Sequence, residues 1–225
     1  MNHCKIKKIG WISCALLLLC GSVLAGPPGN GIGNGGGNGN AQGARQGKSD
    51  SLAEVRQSTL KYMDVQAALD DGFISTVECD AAPHTGLPKQ LGGQGIHFAL
   101  VSEPLGVFTA SEVNFQQPNV LIYVPEYASD PPCDYTTEEL LQDQACRDSL
   151  RLVAVEQLML AENWSGHPDN PPEFHDQQYY YLHDNPETDI DEAHGFPPHY
   201  ELHLWLYDHN PAGLFAQYNP NVTCH

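Results

Sequence analysis

His199-Tyr-Glu-Leu-His-Leu-Trp-Leu-Tyr207 alternates two kinds of side chain with a period of two. Successive side chains on an extended strand point to opposite faces, so Tyr200, Leu202, Leu204 and Leu206 share one face. His199, Glu201, His203, Trp205 and Tyr207 share the other. The first set is a core surface. The second brings imidazoles, a carboxylate and large rings together, the combination of apolar wall and converging polar groups that a ligand pocket uses. Neighbours two apart on a strand lie about 7 Å from each other, so Glu201 can share an ion with either histidine, whereas His199 and His203, about 13 Å apart, cannot without distortion.

Working outward, strands are expected at Phe73 to Glu78, Ile96 to Val101, Val120 to Val124 and Leu150 to Leu160, separated by turns rich in Gly, Pro and Asp. Ser51-Leu-Ala-Glu54 reads as a capping box. Leu60, Met63 and Ala67 follow at helical spacing up to Gly72, which predicts an amphipathic helix over about 52–70. A shorter helix is expected near Thr136, with Glu139 completing a second box. Regular βαβ alternation is missing. The expected fold class is therefore α+β: an N-terminal amphipathic helix packed on an antiparallel β-sheet rolled into a barrel, with long acidic loops and two disulfides.

The ends of the chain speak about compartment. Residues 1–25 carry a basic start (Lys5, Lys7, Lys8), an apolar run from Ile12 to Leu19, and Val23-Leu24-Ala25 before Gly26, which reads as a signal peptide. A secreted or periplasmic product follows. No later segment approaches the roughly 20 apolar residues a membrane span needs. Residues 26–50 form a Gly/Asn-rich linker with ten glycines and four asparagines between Gly26 and Lys48, and almost nothing apolar to bury. One globular domain over 51–225 remains. The whole chain has a formal net charge of -18, and losing the leader removes basic residues only, so a nucleic-acid binder is excluded.

Three of the seven cysteines (Cys4, Cys14, Cys20) lie in the leader, which leaves Cys79, Cys133, Cys146 and Cys224. An even number without a Cys-x-x-Cys pair suits two disulfides in an oxidising compartment better than a zinc finger. Of three connectivities, Cys133 with Cys146 would staple a local loop and Cys79 with Cys224 would tie the tail to the first strand.

Other strands offer groups to complete the polar face of the His199 strand. Glu156 lies between Ala154 and Leu158 on one strand face, where an inward carboxylate is costly unless it is paired or bound to a metal. His97 follows Gly92-Gly-Gln-Gly95, which lets the backbone turn sharply and deliver an imidazole at a strand start. His97, Glu156, His199, Glu201 and His203 are thus the candidate ligands of a transition metal (Zn, Fe, Mn or Cu), with Trp205 and Tyr207 as aromatic walls for a bound small molecule. The plainer alternative is that His97 bonds a carbonyl near its turn, Glu156 meets Arg151 or Lys89, and the aromatic face packs under the long helix. There is no His-Glu-x-x-His or cupin His-x-His signature, and no Gly-x-Ser-x-Gly elbow.

Between Glu162 and His194, His167, His175, His183 and His194 alternate with five aspartates and several prolines. This is read as a surface loop or lid, solvated and acidic. It motivates a second functional expectation, a non-catalytic extracytoplasmic interaction module whose acidic loop meets a basic partner.

Lys61-Tyr-Met-Asp64, Gly95-Ile-His-Phe98, Leu152-Val-Ala-Val-Glu156 and His199-Tyr-Glu-Leu-His-Leu-Trp205 together resemble a family of uncharacterised secreted bacterial proteins, over about residues 52–224. The resemblance implies domain limits and bacterial export, and carries no catalytic residue across.

Overall fold

The structure, a computed structural model, describes residues 51–101, 106–126 and 132–224. The expected signal peptide over 1–25 and the expected linker over 26–50 lie outside the described residues. In chain order the elements are α1 (Leu52–Thr59), α2 (Val65–Asp70), β1 (Phe73–Ala81), β2 (Gly93–Leu100), β3 (Val120–Pro125), α3 (Thr137–Gln142), α4 (Gln144–Asp148) and β4 (Leu150–Leu160). Then come β5 (Glu173–Phe174), β6 (Gln177–Gln178), β7 (Tyr180–Leu182) and β8 (His199–Leu204).

The N-terminal capping box forms, with Glu54 N donating to Ser51 Oγ at 3.2 Å and Ser51 N to Glu54 Oε2 at 2.8 Å. The helix it starts is not continuous to residue 70. After a 3-10 turn at Leu60–Met63, Asp64 turns extended (φ -92, ψ 112) and its carboxylate accepts from Gln66 N, capping a second helix. An Asp offers the backbone this local alternative to continued helix. At α3, Thr136 Oγ1 accepts from Glu139 N, but the Glu139 carboxylate takes Asp134 N instead of closing the expected box.

Six strands form one sheet in the order β1-β2-β3-β4-β8-β7, every neighbouring pair antiparallel. The sheet is open, which corrects the expected barrel. Closure needs two long, regular edges to pair. Here β1 carries register shifts and a positive φ at Val77 (62°), and β7 has three residues, so neither edge offers a continuous ladder.

The two faces of the sheet are covered differently. On one, Val55, Val65, Ala68, Leu69 and Leu140 of the helices bury Phe98, Tyr123, Val155, Met159, Leu202 and Leu204. Tyr123 donates to the Tyr62 carbonyl at 2.6 Å, fixing the turn between α1 and α2 on this face. The other face carries Ala99, Val120, Ile122, Ala154, Leu158 and Trp205, covered by Val107, Val222 and Phe196 from loops and tail. No helix lies in that cluster, so the helices cover the face opposite the histidines.

The tail is bound in place. Cys79–Cys224 and Cys133–Cys146 are disulfides, the first closing 145 residues. Asn219 pairs with Gly93, and Gly92 (φ +86) permits the approach, since a Cβ there would fall 2.0 Å from Asn219 O. Two disulfides fit an oxidising, extracytoplasmic environment. No helix among the described residues is long and apolar enough to cross a membrane.

Candidate metal centre

The polar groups of the second face come together through register. Glu156 on β4 pairs with His203 on β8 and with Val120 on β3, and Val120 pairs with Ala99 on β2. His97 sits two residues from Ala99 on the same face. Ala99 and Val120 are the smaller residues of this row, so the long side chains of His97 and Glu156 lean across β3 and meet above it. Gly95 (φ +120) makes this geometry of β2 possible, because a Cβ there would lie 2.7 Å from Tyr123 O.

His97 Nε2 lies 3.4 Å from Glu156 Oε2, and His203 Nε2 lies 3.6 Å from the same oxygen. One donor atom from each of the three residues falls within 4.8 Å of the others. Donors held at about 2.0–2.1 Å in a tetrahedral shell stand about 3.3 Å apart, so the spacing is that of a metal-ligand set with small adjustment. A carboxylate faces the far nitrogen of each ring: Asp80 Oδ2 is 2.9 Å from His97 Nδ1, and Glu201 Oε1 is 3.9 Å from His203 Nδ1. The first is at the distance by which metal-binding imidazoles are commonly oriented, and the second is beyond hydrogen-bond reach. Glu156 Oε2 and both ring nitrogens of His203 are buried and have no hydrogen-bond partner among the described residues. Buried polar atoms without partners are rare, and an ion or water is one of the things that satisfies them.

The surroundings separate the roles of the four histidines. Burial disfavours charge on His97, but Asp80 and Glu156 outweigh it and hold the imidazolium well above its ordinary value. Burial would raise the Asp80 carboxyl, yet hydrogen bonds from His194 and His97 keep it well below the usual carboxylate range. Glu201 is likewise held low against burial, by His199 first and then by the charges of His203 and His194. For His203 burial prevails and lowers its value, which favours the neutral ring that ligates metals.

The sequence-expected residues are therefore divided. His97, Glu156 and His203 converge. Glu201 lies beside them, receiving Gln217 Nε2 at 3.1 Å and facing His199 Nε2 at 3.5 Å. His199 is held by Glu201 and, at 2.9 Å, by the Pro197 carbonyl; it is absent from the converging set. Trp205 stacks on His203 with ring centroids 6.3 Å apart, its indole N–H donating to Ala216 O at 2.7 Å. Tyr207 is a correction. β8 ends at Leu204, so the alternation that grouped Tyr207 with Trp205 stops, and its hydroxyl meets Thr59 Oγ1 at 2.8 Å on the helix side.

Asp80 and His194 are additions. Asp80 falls beyond the expected end of the first strand, but β1 continues to Ala81 and pairs Asp80 with Gly95. His194, expected in a solvated loop, has its Nδ1 3.7 Å from Asp80 Oδ1 and its side chain only 10% exposed. The only sequence clue to either was the density of acids and imidazoles. A second convergence, Cys133, Glu139 and Cys146, has its sulfurs joined in a disulfide and offers no thiolate.

A cavity of about 530 Å³ opens over the set, with His97, Glu156, His199 and Glu201 on its lining. His97 and Glu156 line this space and His203 does not, so an ion held by the three would keep coordination positions open to water or a ligand on the His97 and Glu156 side, as open zinc and non-haem iron sites do. No family model, curated protein or solved structure matches this chain.

Proposed function

We propose that the protein is an exported metal-binding protein in which His97, Glu156 and His203 hold one divalent transition-metal ion. Asp80 stands 2.9 Å behind the His97 ring, Glu201 lies beside His203 without a hydrogen bond to it, and the cavity gives the ion access to solute. The observation that carries this reading is the buried carboxylate oxygen of Glu156, flanked by two imidazoles at 3.4 and 3.6 Å and lacking a hydrogen-bond partner. An uncompensated buried charge is expensive, and a cation at that point removes the expense. In metal-free protein a proton on His97 performs part of that neutralisation, so metal uptake displaces a proton. The ion, when bound, supplies Lewis acidity at its open positions.

Export is supported by the leader, by the two disulfides, and by the resemblance of the Gly95–Phe98 and His199–Trp205 stretches to secreted bacterial proteins. Calorimetric titration of the full-length, tag-free chain, stripped with chelator, tests the binding. Zn, Fe, Mn or Cu should bind at one ion per chain, and His203→Ala or Glu156→Gln should abolish that stoichiometric site. Wild-type protein that takes up none of the four metals, or variants that bind as before, would refute it.

A further inference from the structure

We infer that the cavity above this centre takes a small organic cation, an amine on a compact apolar body; the inference rests on the metal-binding reading for the identity of its floor. The volume, about 530 Å³, is in the range of small-molecule sites. Its charge is one-sided. Glu78, Asp189 and Asp191 line it in addition to the carboxylates beside the histidines, and among the described residues no lysine or arginine does. A divalent ion on Glu156 offsets part of this charge and His84 Nδ1 stands 3.9 Å from Glu78 Oε1, which leaves Asp189 and Asp191 without an ion-pair partner among the described residues. Glu78, Asp189 and Asp191 are exposed, so they act from the rim, where carboxylates of one sign around a concave space disfavour phosphates and carboxylates and concentrate cations.

The walls and the leftover hydrogen-bonding groups narrow the class further. Ala99, Val120, Leu158, Ile190 and Phe196 are apolar surface that a bare hydrated metal ion would not use, and an organic body would. His194 Nε2 and Thr76 Oγ1, outside the three converging ligands, line the same cavity, are buried, and have no hydrogen-bond partner among the described residues. His194 is nine-tenths buried. Thr76 Oγ1 is available to accept from an ammonium group, and His194 Nε2, whose ring, against its burial, Asp80 holds toward the protonated form, is available to donate to an oxygen beside it. The acidic segment is also built rather than loose: Asn185 N donates to Glu192 Oε2 at 3.0 Å, Ala193 N to Asp184 Oδ1 at 3.0 Å, and Gly195 N to Asp191 Oδ1 at 2.8 Å. A Cβ at Gly86 would fall 2.7 Å from Ile190 Cδ1, so Ile190 is seated against the turn after β1.

The test is calorimetric titration of the metal-loaded full-length chain with benzylamine, benzyl alcohol and benzoate, which share a body and differ in charge. Benzylamine should bind and benzoate should not, with the alcohol weaker than the amine. Asp189→Asn with Asp191→Asn keeps the oxygen that accepts from Gly195 N and removes two charges. That variant should weaken benzylamine about fivefold per charge, the upper range for one partly screened pair, with metal content unchanged. Alcohol binding as tightly as amine, benzoate binding best, or no benzylamine heat at millimolar concentration with metal in place would overturn the inference. So would a double variant that takes up metal more slowly but binds benzylamine as before, because the acids would then serve ion recruitment. Protein that carries no metal yet binds benzylamine, and loses it in the double variant, sustains the cavity's cation selectivity and overturns the metal reading alone.

Discussion

Tyr200, Leu202 and Leu204 on one face of β8, and His199, Glu201 and His203 on the other, are alternate residues of one strand, and all six are buried. Burial has opposite consequences for the two sets. On the helix-covered face it removes apolar surface from water and stabilises the fold. On the loop-covered face it desolvates imidazoles and carboxylates, which is costly until charge is matched. The difference teaches that equal burial does not mean equal role: one face holds the sheet together, and the other gathers imidazoles and carboxylates whose charge must be matched.

Variants that break this contrast are ordered by expected size. Leu202→Ala empties a fully buried position and should cost about 2–5 kcal/mol in denaturant unfolding, with metal stoichiometry intact. A cost below about 1 kcal/mol would mean that the helix-covered face is not the main core. Replacing Glu156 and His203 together by leucine should do the reverse. The metal-free protein should be unchanged or more stable, by up to about 4 kcal/mol, because buried charges give way to apolar packing, and the metal site should vanish. Strong destabilisation of that double variant would show the polar cluster to be a structural brace.

Asp80→Asn leaves the three converging ligands and removes the charge behind His97. Metal affinity should fall roughly 10- to 100-fold, read by competition with a chelator, while the ion is still bound. An unchanged affinity would remove Asp80 from the site. The smallest effect is in pH. The His97 value is raised in the metal-free fold, so its contribution is full below 6.5 and is lost as pH rises through the folded value. Metal binding gains over the same interval because fewer protons compete. Melting curves should therefore show the gap between metal-loaded and metal-free protein widening from pH 6 to pH 8. A gap that narrows would contradict the proton–metal exchange at His97.

The periodic parts of this arrangement were legible in the residues. The two-residue alternation of β8, the glycines before His97 and the inward position of Glu156 pointed to five candidate ligands, of which the structure brings His97, Glu156 and His203 within 4.8 Å of one another. The even count of cysteines after residue 25 pointed to two disulfides, and of the three connectivities the one chosen for stapling a local loop and tying the tail is the one the structure has. What stayed hidden depends on irregularity. The break at Asp64 comes from a side chain capping its own backbone, and the register shifts in β1 prevent closure while carrying Asp80 beside His97. His194 arrives from an aperiodic, proline-broken stretch whose composition alone suggested solvent. Tyr207 was misplaced because a strand's end, unlike its alternation, is set by what the next residues meet; here that is Val153 O, which accepts from Tyr207 N at 3.1 Å.

X-ray absorption at the edge of whichever metal the purified, tag-free chain carries tests the central claim most directly, since it counts ligands by type. The expected spectrum has two imidazoles with oxygen donors and no sulfur, falling to one imidazole in any metal that His203→Ala still retains. A chain that carries no metal, or an ion surrounded by oxygen alone or by sulfur, would contradict it.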